Sequence, residues 1–234
     1  MVEMYPNIQA YDRGAMFSPD GRLFQVDYAR ENVRKGATAM GMAVEKGVVL
    51  IAHKNIVEPL AVSSTVQKIF RVDSFIGVAY SGMISDGMHL IALLRSKAQS
   101  HRMVYNETES VEMLTKEISE EMQVATQYGG VRPYAVSLLV AGIDSTPKLF
   151  EIDPSAAYLG YKAEAIGAGK KTAEDMLVKN YKEDMEMDDA INLGVSIIKK
   201  VQEGKLDENN VDISTVTKSA GFVAFTPEQI SKYV

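Results

Sequence analysis

Cysteine is absent from the 234 residues, and only three histidines occur. Without a thiol there are no disulfides, thiolate zinc sites or cysteine nucleophiles. His53, His89 and His101 show none of the His-Glu-x-x-His type of metal spacing, so no metal and no cofactor are expected. Also missing is any apolar run long enough to cross a bilayer, and residues 1–10 lack the basic and apolar regions of a signal peptide. The expectation is a cytoplasmic protein with no membrane contact. Linker-like Pro, Gly or Ser tracts, repeats and low-complexity segments are lacking too, which points to one domain over residues 1–234. The 25 Lys and Arg against 31 Asp and Glu give a net charge of −6, with the signs interspersed. That balance argues against a nucleic acid as partner.

What is present is 46% hydrophobic residues, enough for a substantial core. Ser18-Pro19-Asp20-Gly21 suits a type I turn, because Pro presets φ at the second position and Gly relaxes the fourth. Beyond it Leu23, Val26, Ala29 and Val33 share one side of a 3.6-residue period, with Phe24 and Tyr28 an i, i+4 aromatic pair beside them, so a helix is predicted over about 21–34. Apolar runs at 37–44 and 47–52, parted by Glu45-Lys46, read as a hairpin, and strands at 66–72 and 75–80 follow. Helices fit 84–104 and 110–128, the second carrying Val111, Leu114, Ile118, Met122 and Ala125 on one face. Gly129-Gly130 and Pro133 end it. Strands are expected at 135–142, 148–152, 156–158 and 163–166, helices at 170–181 and 187–203, and closing strands at 211–217 and 221–224. Runs of strands alternating with pairs of helices imply an α+β protein of two packed antiparallel sheets with a helix pair on each outer face.

Motifs for chemistry are scarce. Ala165-Ile166-Gly167-Ala168-Gly169-Lys170 looks like a phosphate loop, but Glu164 stands where its first Gly is needed and Lys171 where Ser or Thr would hold magnesium. A glycine-rich strand-to-helix turn is the better reading. Glu120 and Glu121 fall on the polar side of a helix, a solvated face rather than a catalytic carboxylate pair.

One composite pattern is far more specific. Tyr11-Asp12-Arg13 followed by Phe17-Ser18-Pro19-Asp20-Gly21-Arg22-Leu23-Phe24-Gln25-Val26-Asp27-Tyr28-Ala29 closely resembles the signature of proteasome core-particle α subunits, especially the archaeal kind. Lys35 to Ala39, Gly47 to Leu50, Gln127 to Tyr134 and Tyr161 to Gly167 extend the likeness along the whole chain. The resemblance implies the four-layer αββα sandwich of N-terminal-nucleophile hydrolases. It also implies a heptameric ring of copies of the chain, with residues 1–20 as a gate arm over the axial pore and the 21–34 helix building the ring. Expected partners are proteasome β subunits, the C-terminal tails of a regulatory ATPase, and unfolded protein substrates in transit.

By the same resemblance the chain is non-catalytic. The related β subunits use an N-terminal Thr, and aligning Gly41 with the glycine that follows it puts Ala37 at the nucleophile position. His53 then falls at the acidic position, while Lys68 is retained. An internal Thr38 has a blocked amine and no activation. The alternative is an autonomous threonine peptidase using Thr38. For docking, the resemblance assigns Lys68 to a pocket that captures the ATPase carboxylate, with Gly36 allowing close approach and Met83 on the wall. Without it, Lys68 reads as an exposed surface lysine. Tyr11, Asp12, Pro19 and Tyr28 carry over as the gate cluster between neighbouring subunits. The chain departs from the family in having only Gly14-Ala15-Met16 between Arg13 and Phe17, one residue fewer than usual. Ser85-Asp86-Gly87-Met88 stands in place of Ala-Asp-Ala-Arg, and Ala135 where Gly is common. Gly87 is expected to cost its helix roughly 1 kcal/mol relative to Ala.

Overall fold

Gly47–His53 forms a strand, β2, in which Val48, Leu50 and Ala52 alternate with Val49 and Ile51, and all five are buried. Period-2 side chains buried on both faces require cover on both. Here Val48, Leu50 and Ala52 pack against a second sheet, while Val49 and Ile51 pack beneath helices. The rest of the fold follows from that demand. The computed structural model describes residues 11–12, 14–56, 58, 60–202 and 206–234.

The first helix, α1, spans Phe24–Lys35 and buries Val26, Ala29 and Val33, the stripe read from the sequence. β1 (Ala39–Val44) pairs with β2 through a tight turn that sets Val44 opposite Gly47. β3 (Ile69–Asp73) and β4 (Ile76–Gly82) form the next hairpin. Helices α2 (Ile84–Tyr105) and α3 (Val111–Ala125) follow, the second capped by the Ser110 side chain, which accepts from Met113 N–H at 3.1 Å. β5 (Val136–Ile143), β6 (Pro147–Ile152), β7 (Tyr158–Gly160) and β8 (Ala163–Ile166) come next. The chain closes with α4 (Lys170–Asn180), α5 (Met187–Gln202), β9 (Val211–Thr217), β10 (Gly221–Ala224) and a short α6 (Pro227–Ile230).

All pairings are antiparallel, giving two five-stranded sheets ordered β10-β9-β2-β1-β8 and β3-β4-β5-β6-β7. Helices α2 and α3 cover the second sheet through Leu90, Ile91, Leu94, Leu114 and Ile118. Helices α4 and α5 cover the first through Leu177, Ile191, Val195 and Ile198. The molecule is therefore the expected α+β sandwich of four layers. No helix among the described residues is long and apolar enough to cross a membrane.

Among the differences from the sequence reading, α1 begins at Phe24 rather than at 21 and β3 at Ile69 rather than at 66, and three others have a clear local cause. The strand expected at 156–158 begins at Tyr158, because the Asp153 carboxylate accepts from Ser155 and Ala157 N–H and holds a turn in which Ala156 has φ +67°. Helix α3 stops at Ala125 rather than at 128, since Thr126 and Gln127 bond three residues back and tighten the last turn. Helix α6 has only four residues, too few for a period, and is set by Pro227 and a Thr226/Gln229 capping box.

Helix α1 lies across one end of the sandwich, packed on β4 and β5. Arg30 pins it to Asp153 at 2.7 Å. Seven strand ends meet near that cap: the starts of β1, β3, β5 and β9 and the finishes of β2, β4 and β8.

Candidate functional site

The sandwich end beneath α1 is assembled from backbone contacts. Gly36 C=O accepts from Ala168 N–H at 2.8 Å, and Ala37 C=O accepts from Ser81 Oγ at 2.9 Å. A Cβ on Gly36 would lie 2.5 Å from both Gly82 N and Ser81 Oγ, so only glycine lets the chain enter β1 here. Glycine at 36 is therefore demanded by the fold itself, apart from any visiting chain. Ala37 offers no hydroxyl. Thr38 is fully buried, and its hydroxyl donates to the Ala168 carbonyl and accepts from Gln202 Nε2 at 3.4 Å. That hydroxyl is committed to holding the β1 entry, and neither of its hydrogen-bond partners, the Ala168 carbonyl and the Gln202 amide, is a base, which argues against Thr38 as a nucleophile.

Lys68 departs most from a sequence-only view. Far from being a surface lysine, it is 6% exposed. Its backbone N–H donates to Asp212 Oδ2 at 2.8 Å, and its Nζ stands 4.0 Å from the centre of the Tyr80 ring. Among the described residues no ion pair or hydrogen bond reaches that Nζ. The other oxygen of Asp212, Oδ1, is taken by Lys54 Nζ at 3.0 Å, and Lys54 is itself buried. Burial pushes the Lys68 ammonium down to about pKa 8, a fall only partly offset by the charge of Asp212. His53, the last residue of β2, faces the same region. Burial first, and then the Lys68 charge, lower its pKa, and its Nδ1 has no hydrogen-bond partner among the described residues.

β4 ties these pieces together. Tyr80 lies under Lys68, Ser81 and Gly82 press on Gly36, and Met83 follows as the N-cap of α2. Met83 is half-buried; its N–H donates to Ala135 C=O at 2.8 Å and its Sδ meets Arg132 Nη2 at 3.2 Å. Arg132 in turn holds Asp86 with two hydrogen bonds of 2.6 and 2.8 Å, and Asp86 Oδ2 also accepts from Ala135 N–H at 2.9 Å. Burial alone would raise the Asp86 pKa, but the Arg132 hydrogen bonds and charge outweigh it and hold the carboxyl below its ordinary value. Gly87 is explained by the same neighbourhood, because a Cβ there would lie 2.8 Å from the Tyr80 ring. The large Tyr80 and the small Gly87 are complementary.

For the arm, the Ser18 to Gly21 turn forms as expected. Gly21 N–H donates to Ser18 C=O at 2.8 Å, and Pro19 is exposed at its corner. Asp12 is joined to α1 through Gln25 Nε2, which donates to its carbonyl, while its Oδ1 is buried with no hydrogen-bond partner among the described residues. Tyr28 is 51% exposed and stacks on Phe24 at 6.4 Å. Within one chain no hydrogen bond or ring contact among the described residues joins Tyr28 to Tyr11, Asp12 or Pro19. A cavity of about 290 Å³ separates the arm from the loop before β5, lined by Gly14, Ala15, Gln25, Val131 and Arg132 among others. Residues 1–10 of the expected gate arm, and Arg13, lie outside the described residues.

The false phosphate loop is a β8-to-α4 turn. Lys170 there binds Glu151 at 2.9 Å and Glu164 at 3.3 Å, and burial pushes Glu164 up to about 7 against the pull of that lysine. Residues missed by sequence reasoning are Lys54, Asp212 and Tyr80. The one available signal was Asp212, a lone charge in an otherwise apolar and hydroxyl-bearing strand.

Residues 33–216 match the family model of proteasome subunits, and residues 11–31 match the N-terminal signature of the A-type members. The chain is 45% identical over 227 residues to the proteasome alpha subunit of Methanosarcina acetivorans, covering 96% of this chain and 92% of that protein. It is 44% identical over 226 residues to the Archaeoglobus fulgidus protein of the same name, covering 96% and 92%. With the Pyrococcus horikoshii protein, also a proteasome alpha subunit, it shares 42% over 231 residues, covering 98% and 88%. A β1 entry without a nucleophile, a helix capping the sandwich end, and a signature that covers the arm and α1 agree with these matches: the chain belongs to the proteasome subunit family and is of the α type.

Proposed function

We propose that this protein is a non-catalytic α subunit that forms the outer heptameric rings of a cytoplasmic proteasome core particle. It gates substrate entry with its arm and docks a regulatory ATPase, while proteolysis belongs to β partners. The observation that carries the reading is the state of the β1 entry, where Ala37 occupies the nucleophile's place and the Thr38 hydroxyl is spent on the Ala168 carbonyl. A threonine peptidase needs a free hydroxyl with a base in reach.

Docking is supported by Lys68. A buried ammonium that makes no ion pair or hydrogen bond among the described residues, and whose burial the Asp212 charge offsets only in part, is costly unless an anion arrives from outside. The C-terminal carboxylate of an ATPase supplies that anion, with Gly36 and Met83 reached along the same β4 edge. Gating is supported by the exposed parts of the arm and α1: Tyr28 is 51% exposed and Pro19 is exposed, so both are available to a neighbouring copy, while Asp12 Oδ1 is buried without a hydrogen-bond partner among the described residues. A rigid Pro19 turn beside them forms a two-state element, because a small shift exchanges one hydrogen-bond set for another.

Reconstituted barrels test this. Deleting residues 1–12 is expected to raise turnover of short peptides without altering the β sites, and equal turnover would contradict a gate. Lys68→Ala is expected to weaken ATPase docking, and an unchanged dissociation constant would contradict the assigned pocket.

A further inference from the structure

We propose that His53 is a second anchor for the carboxylate that docks at Lys68, so that the visiting terminus is held by an imidazole and an ammonium together. The proposal rests on the docking reading above and adds a residue to it.

The geometry leaves two nitrogen groups at one strand end without a hydrogen-bond partner among the described residues. His53 closes β2, held there by its N–H, which donates to Thr38 C=O at 2.9 Å. Its Nδ1 is buried and lacks a hydrogen-bond partner among the described residues. His53 pairs with Val211 in the β2–β9 register, and the carboxylate of the next residue, Asp212, accepts from the Lys68 backbone N–H, so His53 and Lys68 come to the same strand end. The Lys68 charge acts on the His53 ring, and Lys68 Nζ makes no ion pair or hydrogen bond among the described residues. The charged and titratable groups facing the pair are few. The carboxylate whose charge acts on Lys68 is Asp212 on β9; it is engaged by Lys54 Nζ on one oxygen and by the Lys68 backbone N–H on the other. Tyr80 on β4 contributes a ring face, and burial pushes its phenol pKa up, so it brings no charge at neutral pH. Lys54 Nζ takes the ion pair with Asp212, and the Asp212 charge only partly offsets the burial of the Lys68 ammonium.

A carboxylate matches this arrangement in charge and in acceptor number. One oxygen accepts from Lys68 Nζ, and the other accepts from the His53 imidazole. Burial of an orphan imidazole nitrogen disfavours the apo state and favours any ligand that satisfies it. Since docking of an anion holds protons on both groups, the affinity falls as pH rises. A C-terminal amide has neither the charge nor the second acceptor oxygen and gains nothing from His53.

The test uses intact α rings and a labelled ten-residue peptide copied from the ATPase C-terminus, made as the free acid and as the C-terminal amide, with binding read by anisotropy at pH 6.5, 7.5 and 8.5. Wild-type rings are expected to prefer the free acid, with affinity declining towards pH 8.5. His53→Ala should weaken free-acid binding by about tenfold, as expected for a hydrogen bond to a charged group, and leave amide binding unchanged. His53→Asn, which still donates a hydrogen bond, should recover part of the loss with a flatter pH profile. If His53→Ala leaves free-acid binding intact while Lys68→Ala reduces it, the second anchor is wrong and the docking reading stands. Equal weakening of acid and amide by His53→Ala would also overturn the proposal, because the residue would then only shape the pocket. If Lys68→Ala costs nothing, the docking reading itself fails.

Discussion

Replacing Lys68 with Met should make the protein more stable while removing its docking charge. The side chain is 6% exposed, and burial lowers its pKa from 10.5 to about 8. At about 1.4 kcal/mol per pH unit, that depression means the ammonium costs the folded state roughly 3 kcal/mol at neutral pH. Methionine fills similar volume without the charge, but it forfeits the contact with the Tyr80 ring, worth about 1 kcal/mol. The Asp212 carboxylate is not orphaned, because it is bonded to Lys54 and to the backbone N–H of residue 68, which any residue but proline supplies. A net gain of about 2 kcal/mol corresponds to a Tm roughly 4–8 °C higher for a chain of this size. The pH dependence has a definite sign. The folded state binds this proton less tightly than the unfolded chain, so the penalty is complete below pH 8 and vanishes above pH 10.5. The Tm difference between Lys68→Met and wild type should therefore be large at pH 7 and much smaller at pH 9.5, measured by differential scanning calorimetry. A variant less stable than wild type at pH 7, or a gap independent of pH, would refute the reasoning.

Two further stability predictions concern other parts of the fold. Gly87→Ala, which helix propensity alone would favour by roughly 1 kcal/mol, should instead destabilise by about 1–3 kcal/mol, because its Cβ meets the Tyr80 ring at 2.8 Å. Adding Tyr80→Leu should recover part of that loss in urea titrations, and a stabilised single variant would contradict the packing argument. For Glu164, burial raises the carboxyl to about 7, so its stabilising contribution is present below pH 4.5 and is lost as pH rises through 7. Glu164→Gln should therefore gain Tm relative to wild type between pH 5 and pH 8, and a gap that shrinks over this range would show that Lys170 dominates instead.

The order of elements was legible because hydrophobic period and Gly or Pro punctuation agreed at nearly every boundary. Where they failed, local hydrogen bonding decided the outcome, as in the Asp153 turn that delays β7 and the Thr226/Gln229 box that makes α6. The site was legible only through the resemblance. Nothing local distinguishes Lys68 from a surface lysine, since its burial comes from Tyr80 and from Asp212, which is 144 residues away in sequence. His53, Lys54 and Asp212 gain their meaning from the meeting of β2, β3 and β9, which no periodicity reports. Gly87 looked like a weak point in a helix because its partner, the Tyr80 ring, lies on another element.

The most direct test of the central claim is native mass spectrometry of the purified chain, followed by addition of candidate β subunits and a fluorogenic peptide. Full-length chains assembled as single or stacked rings of seven, silent until β subunits are added, are the predicted result. Monomers that have lost residues 1–37 and hydrolyse the peptide unaided would contradict it, because Thr38 would then be a working nucleophile.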